Sequence, residues 1–181
     1  MKVLYFNTIA LISYIIACLY YGKDEKSPLK ALAFKRSLLN FSILFVFYNI
    51  DIPVGNGFPI VWIFLTEILF SITHHLLHTK HLYWIHKQHH EHIIPCTTSC
   101  FDAHPIEFMV GNVLSFVLPM YIYKGPLWFQ IAWTITAVVN TVQAHSSPGL
   151  HKIHHEKRKV NYGASLYMYD WLINTKEYCV K

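Results

Sequence analysis

Charge is what this sequence has least of. Asp, Glu, Lys and Arg make up 14% of its 181 residues, while hydrophobic residues reach 54%. An average soluble domain carries about 25% charged residues. The deficit points to lipid as part of the solvent. Cysteine is also scarce. Cys18, Cys96, Cys100 and Cys179 form no C-x-x-C pair, and Cys18 sits in an apolar run, so the four read as free thiols. There is no G-x-G-x-x-G dinucleotide fingerprint, no haem-binding segment, no internal repeat and no low-complexity linker. The net charge of +5 is modest. Its basic residues flank apolar segments instead of striping a soluble face, which excludes a nucleic-acid partner and suits anionic headgroups. Histidine runs the other way: thirteen of them stand beside ten acidic residues. A metal site is therefore the first chemistry to consider.

The length suits one domain with a real core. Val3 to Tyr21 carries no charge and approaches the about 20 residues that a bilayer crossing needs. A signal peptide is the rival reading, but the end of the run offers no small-residue cleavage site, so a retained anchor is expected. Further apolar runs cover Leu38–Ile50, Phe58–Ile72, Phe108–Tyr123 and Leu127–Val142. A turn signal, Asp51 to Gly57, separates the second and third; Lys124, Gly125 and Pro126 separate the last two. Lys23, Lys26, Lys30, Lys35 and Arg36 make the first loop cytoplasmic. Two out-and-back hairpins then return the chain to that same side at His74 and again at His145. Both histidine clusters are thus expected on one face of the membrane.

Three histidine groupings have ligand spacing. His74 and His78 are four apart. His86, His89 and His90 read H-x-x-H-H, and so do His151, His154 and His155. Residues three and four apart share a helix face, so each grouping is expected to aim two or three imidazoles at one point. Imidazole suits iron, zinc, copper and nickel alike. The number of candidates exceeds the four ligands of one tetrahedral zinc, which favours two ions. Oxidisable metals beside a lipid-facing cavity favour oxygen activation on a hydrophobic substrate. His75, His81 and His92 read more simply as surface or supporting residues. Glu67, alone in an apolar run, has two even readings: a functional carboxylate on the His74 face, or a solvated charge near the interface.

The stretch from His74 to Glu91 resembles the first histidine boxes of the fatty acid hydroxylase/sterol desaturase superfamily, and most of all its sterol 4-methyl oxidase branch. Ala103 to Glu107 matches that branch's Ala-His-Pro-x-Glu segment. Ala144, His145 and Ser146 resemble its next histidine. His151 to Glu156, followed by Asn161, Tyr162 and Gly163, resembles its last box and the turn after it. The resemblance covers about residues 60 to 175. It implies a non-haem diiron site, with zinc as a possible substitute, held by His74, His78, His86, His89, His90, His104, His145, His151, His154 and His155. Pro105 disfavours a helical conformation at His104 and places it in a turn. Asn161 and Tyr162 are implied partners for the outer N–H groups of metal-bound imidazoles. The chain departs from the family at His75, at Ser147 where glycine is usual, and at Tyr169 to Thr175, where the family's Trp-Asp-x-x-Phe-Gly-Thr is reduced. These departures touch substrate fit more than metal binding.

The fold expected is all-α: a membrane bundle of about four or five apolar helices with a cytosolic histidine-rich cap. Residues 1–36 would be the anchor and its basic loop, and 37–181 the catalytic domain. The resemblance implies oxygen-dependent oxidation of a sterol or fatty-acyl lipid by hydroxylation, demethylation or desaturation. It also implies electrons from a b-type cytochrome and an NAD(P)H reductase and, in a eukaryote, the endoplasmic reticulum membrane. The rival from another class is a zinc or iron transporter. That would place polar residues inside the spans, whereas here the histidines sit at span ends. A catalytically dead scaffold that keeps its metal is the third reading.

Overall fold

The structure, a computed structural model, describes residues 3–47, 51–57, 59–146 and 149–178. Ser147, Cys179 and the run ends at Ile50 and Phe58 lie outside them. The described residues are helical, with no strand among them. Four long rods form the frame: α1 (Val3–Tyr21), α2 (Lys30–Phe47), α3 (Ile60–Leu77) and α7 (Leu127–Ser146). A fifth is composite. A short turn α5 (Pro105–Glu107) runs into a π-helical stretch, Phe108–Leu114, and then α6 (Ser115–Ile122). Three short helices complete the set: α4 (Tyr83–His86), α8 (Leu150–Lys157) and α9 (Met168–Leu172). Helix α1 packs along α7, and α3 packs on α6 and α9.

Polar side chains point inward and apolar ones outward over much of the bundle. Asn7, Ser37, Asn40, Ser71, Gln130 and Thr134 are buried, while Ile12, Ile16, Leu19, Phe64, Ile122 and Trp128 are exposed. Small and polar residues at helix contacts with an apolar exterior are the pattern of helices solvated by lipid. The inner polar groups are bonded: Tyr14 and Ser37 both donate to the Thr98 carbonyl at 3.1 Å, and the Asn40 amide donates to the carbonyls of Phe101 and Ala103. These bonds tie the 3₁₀ turn Thr97–Phe101 beneath an aromatic cluster of Tyr14, Phe41, Phe101 and Phe108. Cys18, Cys96 and Cys100 are free and buried, as expected.

Two stretches among the described residues, Ile60–Leu77 and Pro105–Ile122, are long and apolar enough to cross a membrane. That corrects the expected four or five. The chemistry of two helices explains their part in this: α2 carries Lys30, Lys35 and Arg36, and α7 carries Gln130, Asn140 and Gln143.

Candidate metal centre

His74 and His75 lie in the last turn of α3, with His78 as its C-cap. His86 closes α4, and His89 and His90 open the next 3₁₀ turn. His145 lies at the end of α7, and α8 supplies His151, His154 and His155. All these ends meet at one end of the bundle. Nine imidazoles converge there in two groups: His74, His78, His86, His90 and His154 in one, and His89, His145, His151 and His155 in the other. Within each group the ligand atoms lie within 4.8 Å of one another.

Each H-x-x-H-H box is divided between the groups, which departs from the expectation of one box per point. His86 and His90 face one group and His89 the other; His154 faces the first, His151 and His155 the second. The boxes act as the shared wall of the two groups. Rings from different groups touch across it, His90 and His155 at 4.7 Å between centroids.

The hydrogen-bond network decides which nitrogen is free. Nδ1 of His74 donates to the Tyr162 carbonyl at 2.8 Å, His154 to Val160 at 2.7 Å, His155 to His92 at 2.7 Å and His145 to Thr141 at 2.8 Å. A carbonyl only accepts, so these Nδ1 atoms hold the proton and a neutral ring leaves Nε2 bare. His86 Nδ1 likewise meets Glu107 Oε1 at 2.7 Å. The Nε2 atoms of His74 and His86 then face each other at 3.1 Å. Two bare lone pairs repel at that distance unless a cation sits between them. Other Nε2 pairs lie at 2.9 Å (His145 and His151) to 3.4 Å (His145 and His89). Such separations suit nitrogens sharing one ion at about 2.0–2.1 Å. The residues therefore fit two metal ions, one per group.

Burial also keeps the rings neutral. It lowers His89 to about 4 and His78 to about 2. It is the main cause of the downward shifts of His86, His90, His151, His154 and His155, with neighbouring histidines adding to it. Neutral imidazole is the form that binds metal.

The remaining candidates divide. His104 joins neither group. Its Nδ1 accepts from the Ile106 N–H at 3.2 Å, capping α5, and its ring lies against Trp84. Tyr162 meets the site through its carbonyl and its ring. Asn161 touches no histidine of the groups through a hydrogen bond. It adopts a left-handed φ of 57° and its side chain joins the carbonyls of Leu150 and Glu177. His75 stacks on Tyr162 and its Nδ1 bonds the Tyr169 hydroxyl at 2.7 Å. His92 is buried and donates from Nε2 to Asp102 at 2.8 Å. His81 is exposed.

Three carboxylates that support the site were given no role from sequence. Glu107 holds His86. Asp102 holds His92, accepts from Gln88 and lies 3.6 Å from Arg36. Asp170 accepts the N–H groups of Tyr162 and Gly163 at 2.7 Å and the Thr175 hydroxyl at 2.8 Å. Glu67, the residue with two readings, is buried on the His74 face and accepts the N–H groups of Ser165 and Tyr167. It fastens the segment carrying Tyr162 to α3. A Cβ added at Gly163 would lie 2.6 Å from Glu67 Oε1, so the fit is close. Asp170→Ala strips the partners of two buried N–H groups and a hydroxyl. It is expected to lower stability by at least about 3 kcal/mol, since each of the three stranded groups costs about 1–3. Thermal unfolding in detergent measures this.

Two cavities adjoin the histidines. A small one of about 30 Å³ lies among His74, His86, His89, His145, His151 and Glu107. A larger one of about 150 Å³ runs between α1, α3, the π-helical stretch and α7, lined by Phe6, Phe41, Phe108 and Trp133 among others. Both are lined by Phe70, Asn112, Thr141, His145 and His151. An apolar chamber therefore ends on the second histidine group.

Residues 59–175 match the family described as fatty acid hydroxylase. The fatty acid hydroxylase domain-containing protein 2 of Homo sapiens is 26% identical over 171 residues, covering 78% of this chain and 51% of that protein. A very-long-chain aldehyde decarbonylase of Oryza sativa subsp. japonica is 32% identical over 136 residues, covering 63% and 50%. Methylsterol monooxygenase 1 of Gallus gallus is 26% identical over 119 residues, covering 56% and 40%. These relatives fit the superfamily and the sterol 4-methyl oxidase branch that the boxes resemble. The chain spans about half the length of the first two. No solved structure matches it significantly.

Proposed function

We propose, from the premise that the chain belongs to the fatty acid hydroxylase family, that it is a membrane-bound oxygenase which oxidises a C–H bond of a sterol or fatty-acyl lipid with O2. Its metal ligands are the nine converging histidines; His104 serves α5 instead. The observation that carries the reading is the apolar cavity of about 150 Å³ that ends on His145 and His151. A transporter has no use for an apolar chamber closing on its ligands. Two iron ions would supply oxygen binding and reduction when bound, as cofactors do the hard chemistry in such enzymes.

The chain's own residues do the rest. The carbonyls of Thr141, Val160, Tyr162 and His92, with Glu107, hold the Nδ1 protons and aim each Nε2 inward. Burial holds the rings neutral. Phe70, which lines both cavities, and Phe108, on the wall of the larger one, keep the approach to the site apolar, and α1, α3 and α7 orient the lipid along the bundle. Residues 37–181 form the catalytic unit, with 1–36 as anchor and basic loop. Electrons reach the site from a b-type cytochrome and an NAD(P)H reductase, and the histidine end faces the cytosol of the endoplasmic reticulum membrane in a eukaryotic cell.

Purified in detergent and loaded with iron, the wild-type chain is expected to hold two ions and to oxidise a lipid mixture. His89→Ala and His154→Ala, one in each group, should each abolish product. Fewer than one bound ion per chain, with product yield unchanged in both variants, sinks the reading.

A further inference from the structure

One amide stands without a protein partner where the two cavities meet. Asn7, Asn40 and Gln130 each donate their side-chain amide to a main-chain carbonyl. The Asn112 side chain bonds to nothing among the described residues. It is not sealed in, for the residue is only partly buried and its amide atoms keep accessible surface. That surface faces inward. Val110 and Leu114, two residues to either side and so about half a helical turn away, are each 46% exposed on the outer face. Phe108 and Phe116, four residues to either side, line the larger cavity together with Asn112. Asn112 also lines the smaller cavity, beside His145 and His151. It lies in the π-helical stretch Phe108–Leu114, within the apolar length Pro105–Ile122. An unbonded amide in such a setting is costly, and polar groups inside apolar spans mark sites of function.

The chemistry of its ligand follows. The amide nitrogen donates and the amide oxygen accepts, so the group matches a hydroxyl or a carbonyl. No Lys or Arg lines either cavity, so an anionic head would meet no cationic side chain there. The other residues shared by the two cavities are already committed. The Thr141 hydroxyl returns to the Ala137 carbonyl at 2.8 Å, His145 and His151 face their own group, and Phe70 has no polar atom. The size of the smaller cavity sets the depth. Its volume of about 30 Å³ takes roughly one or two groups the size of water. An oxygen held by Asn112 therefore lies within a few bonds of the part of the lipid that reaches the histidines.

We infer that Asn112 is a specificity residue: it binds an uncharged oxygen of the lipid at the junction of the two cavities and sets a carbon within a few bonds of that oxygen against the histidines. This rests on the oxygenase reading and narrows it to lipids oxidised close to a hydroxyl or a carbonyl.

Equilibrium binding to the iron-loaded full chain in detergent, without reductant, tests it with two radiolabelled pairs: cholestanol against cholestane, and hexadecanal against hexadecane. At least one oxygen-bearing probe is expected to bind about ten-fold more tightly than its hydrocarbon, and the pair that does so tells a ring hydroxyl from a chain-end carbonyl. Asn112→Leu should shrink that ratio at least about three-fold with the iron content unchanged. Asn140→Leu, which alters a residue lining the larger cavity alone, should keep it. Asn112→Ala, which cannot crowd the wall, carries the test should the leucine variant fail to fold. No preference in the wild type, a preference that the Asn112 variants preserve, a loss that tracks lost iron, or an equal loss in Asn140→Leu overturns the proposal. So does oxidation at a carbon remote from the oxygen. Binding needs no turnover, so a preference lost in Asn112→Leu without any oxidation in the wild type defeats the oxygenase reading and leaves the oxygen-binding role of Asn112 standing.

Discussion

Lowering the pH from 7.5 to 4.5 is expected to strip the metal and collapse the histidine end of the molecule, steeply. The sign follows from the burial of the rings. His89 is lowered to about 4 and His78 to about 2 from an ordinary 6.5, and His86, His90, His151, His154 and His155 also move down. Between the folded and ordinary values the unfolded chain binds more protons than the folded one, so stability rises with pH there. It is complete above about 6.5 and drains away below it. Each such histidine costs about 1.4 kcal/mol per pH unit. Three of them over two units amount to about 8 kcal/mol, comparable to the whole stability of a domain. Bound ions deepen the cooperativity, because they bind neutral imidazole and leave as protons arrive. They also move the midpoint to lower pH, because they bind the folded state alone. Near-UV circular dichroism and metal content, followed together in detergent, check both. A flat profile across this range, with or without metal, contradicts the neutral buried site.

The histidine content and its two boxes were plain in the sequence because ligand chemistry is local: spacing of three and four on a helix is enough to aim a pair. The division of each box was not, and the reason lies in the backbone. His86 ends α4 and His89 begins a 3₁₀ turn, so the chain changes direction inside the box. On α8, His151 and His155 are four apart and face one group, while His154 is rotated away toward the other. Residue spacing alone carries no record of which side of a box meets which partner helix. The carbonyl acceptors were hidden for a different reason. Thr141, Val160, Tyr162 and His92 act through main-chain oxygens that every residue has. His104 follows a local rule that the sequence does show: Pro105 at the first turn of α5 puts its neighbour in a turn, where it caps the helix. The all-helical class followed from the long apolar runs and the family resemblance, but the number of long apolar helices did not. Runs such as that of α7 hide inward polar residues, Gln130 and Thr134, that a bundle interior accepts.

Glu107→Ala is expected to weaken metal binding about 10–100-fold, the usual cost of removing a group that orients a ligand histidine. The carboxylate joins three features. Its Oε1 lies 2.7 Å from His86 Nδ1, so it fixes the tautomer that frees Nε2 toward His74. Its Oε2 is buried without a partner, and the residue lines the small cavity between the two histidine groups. It also sits at the entry to the π-helical stretch Phe108–Leu114, a widened turn of the kind found at functional sites. With alanine, His86 keeps its ring but loses the acceptor that holds its proton outward; the ring is then free to rotate or to place the proton on Nε2. Glu107→Gln retains an oxygen able to accept from Nδ1 and is expected to stay within about three-fold of wild type, a loss well under that of the missing carboxylate. Chelator competition with Fe(II) or Co(II) reads the affinities, and thermal unfolding of the metal-free forms separates ligand orientation from packing. If the two variants weaken the metal equally, Glu107 acts through its charge and not by orienting His86. If neither weakens it, His86 is held by the packing of α4 alone and the tautomer argument fails at that ring.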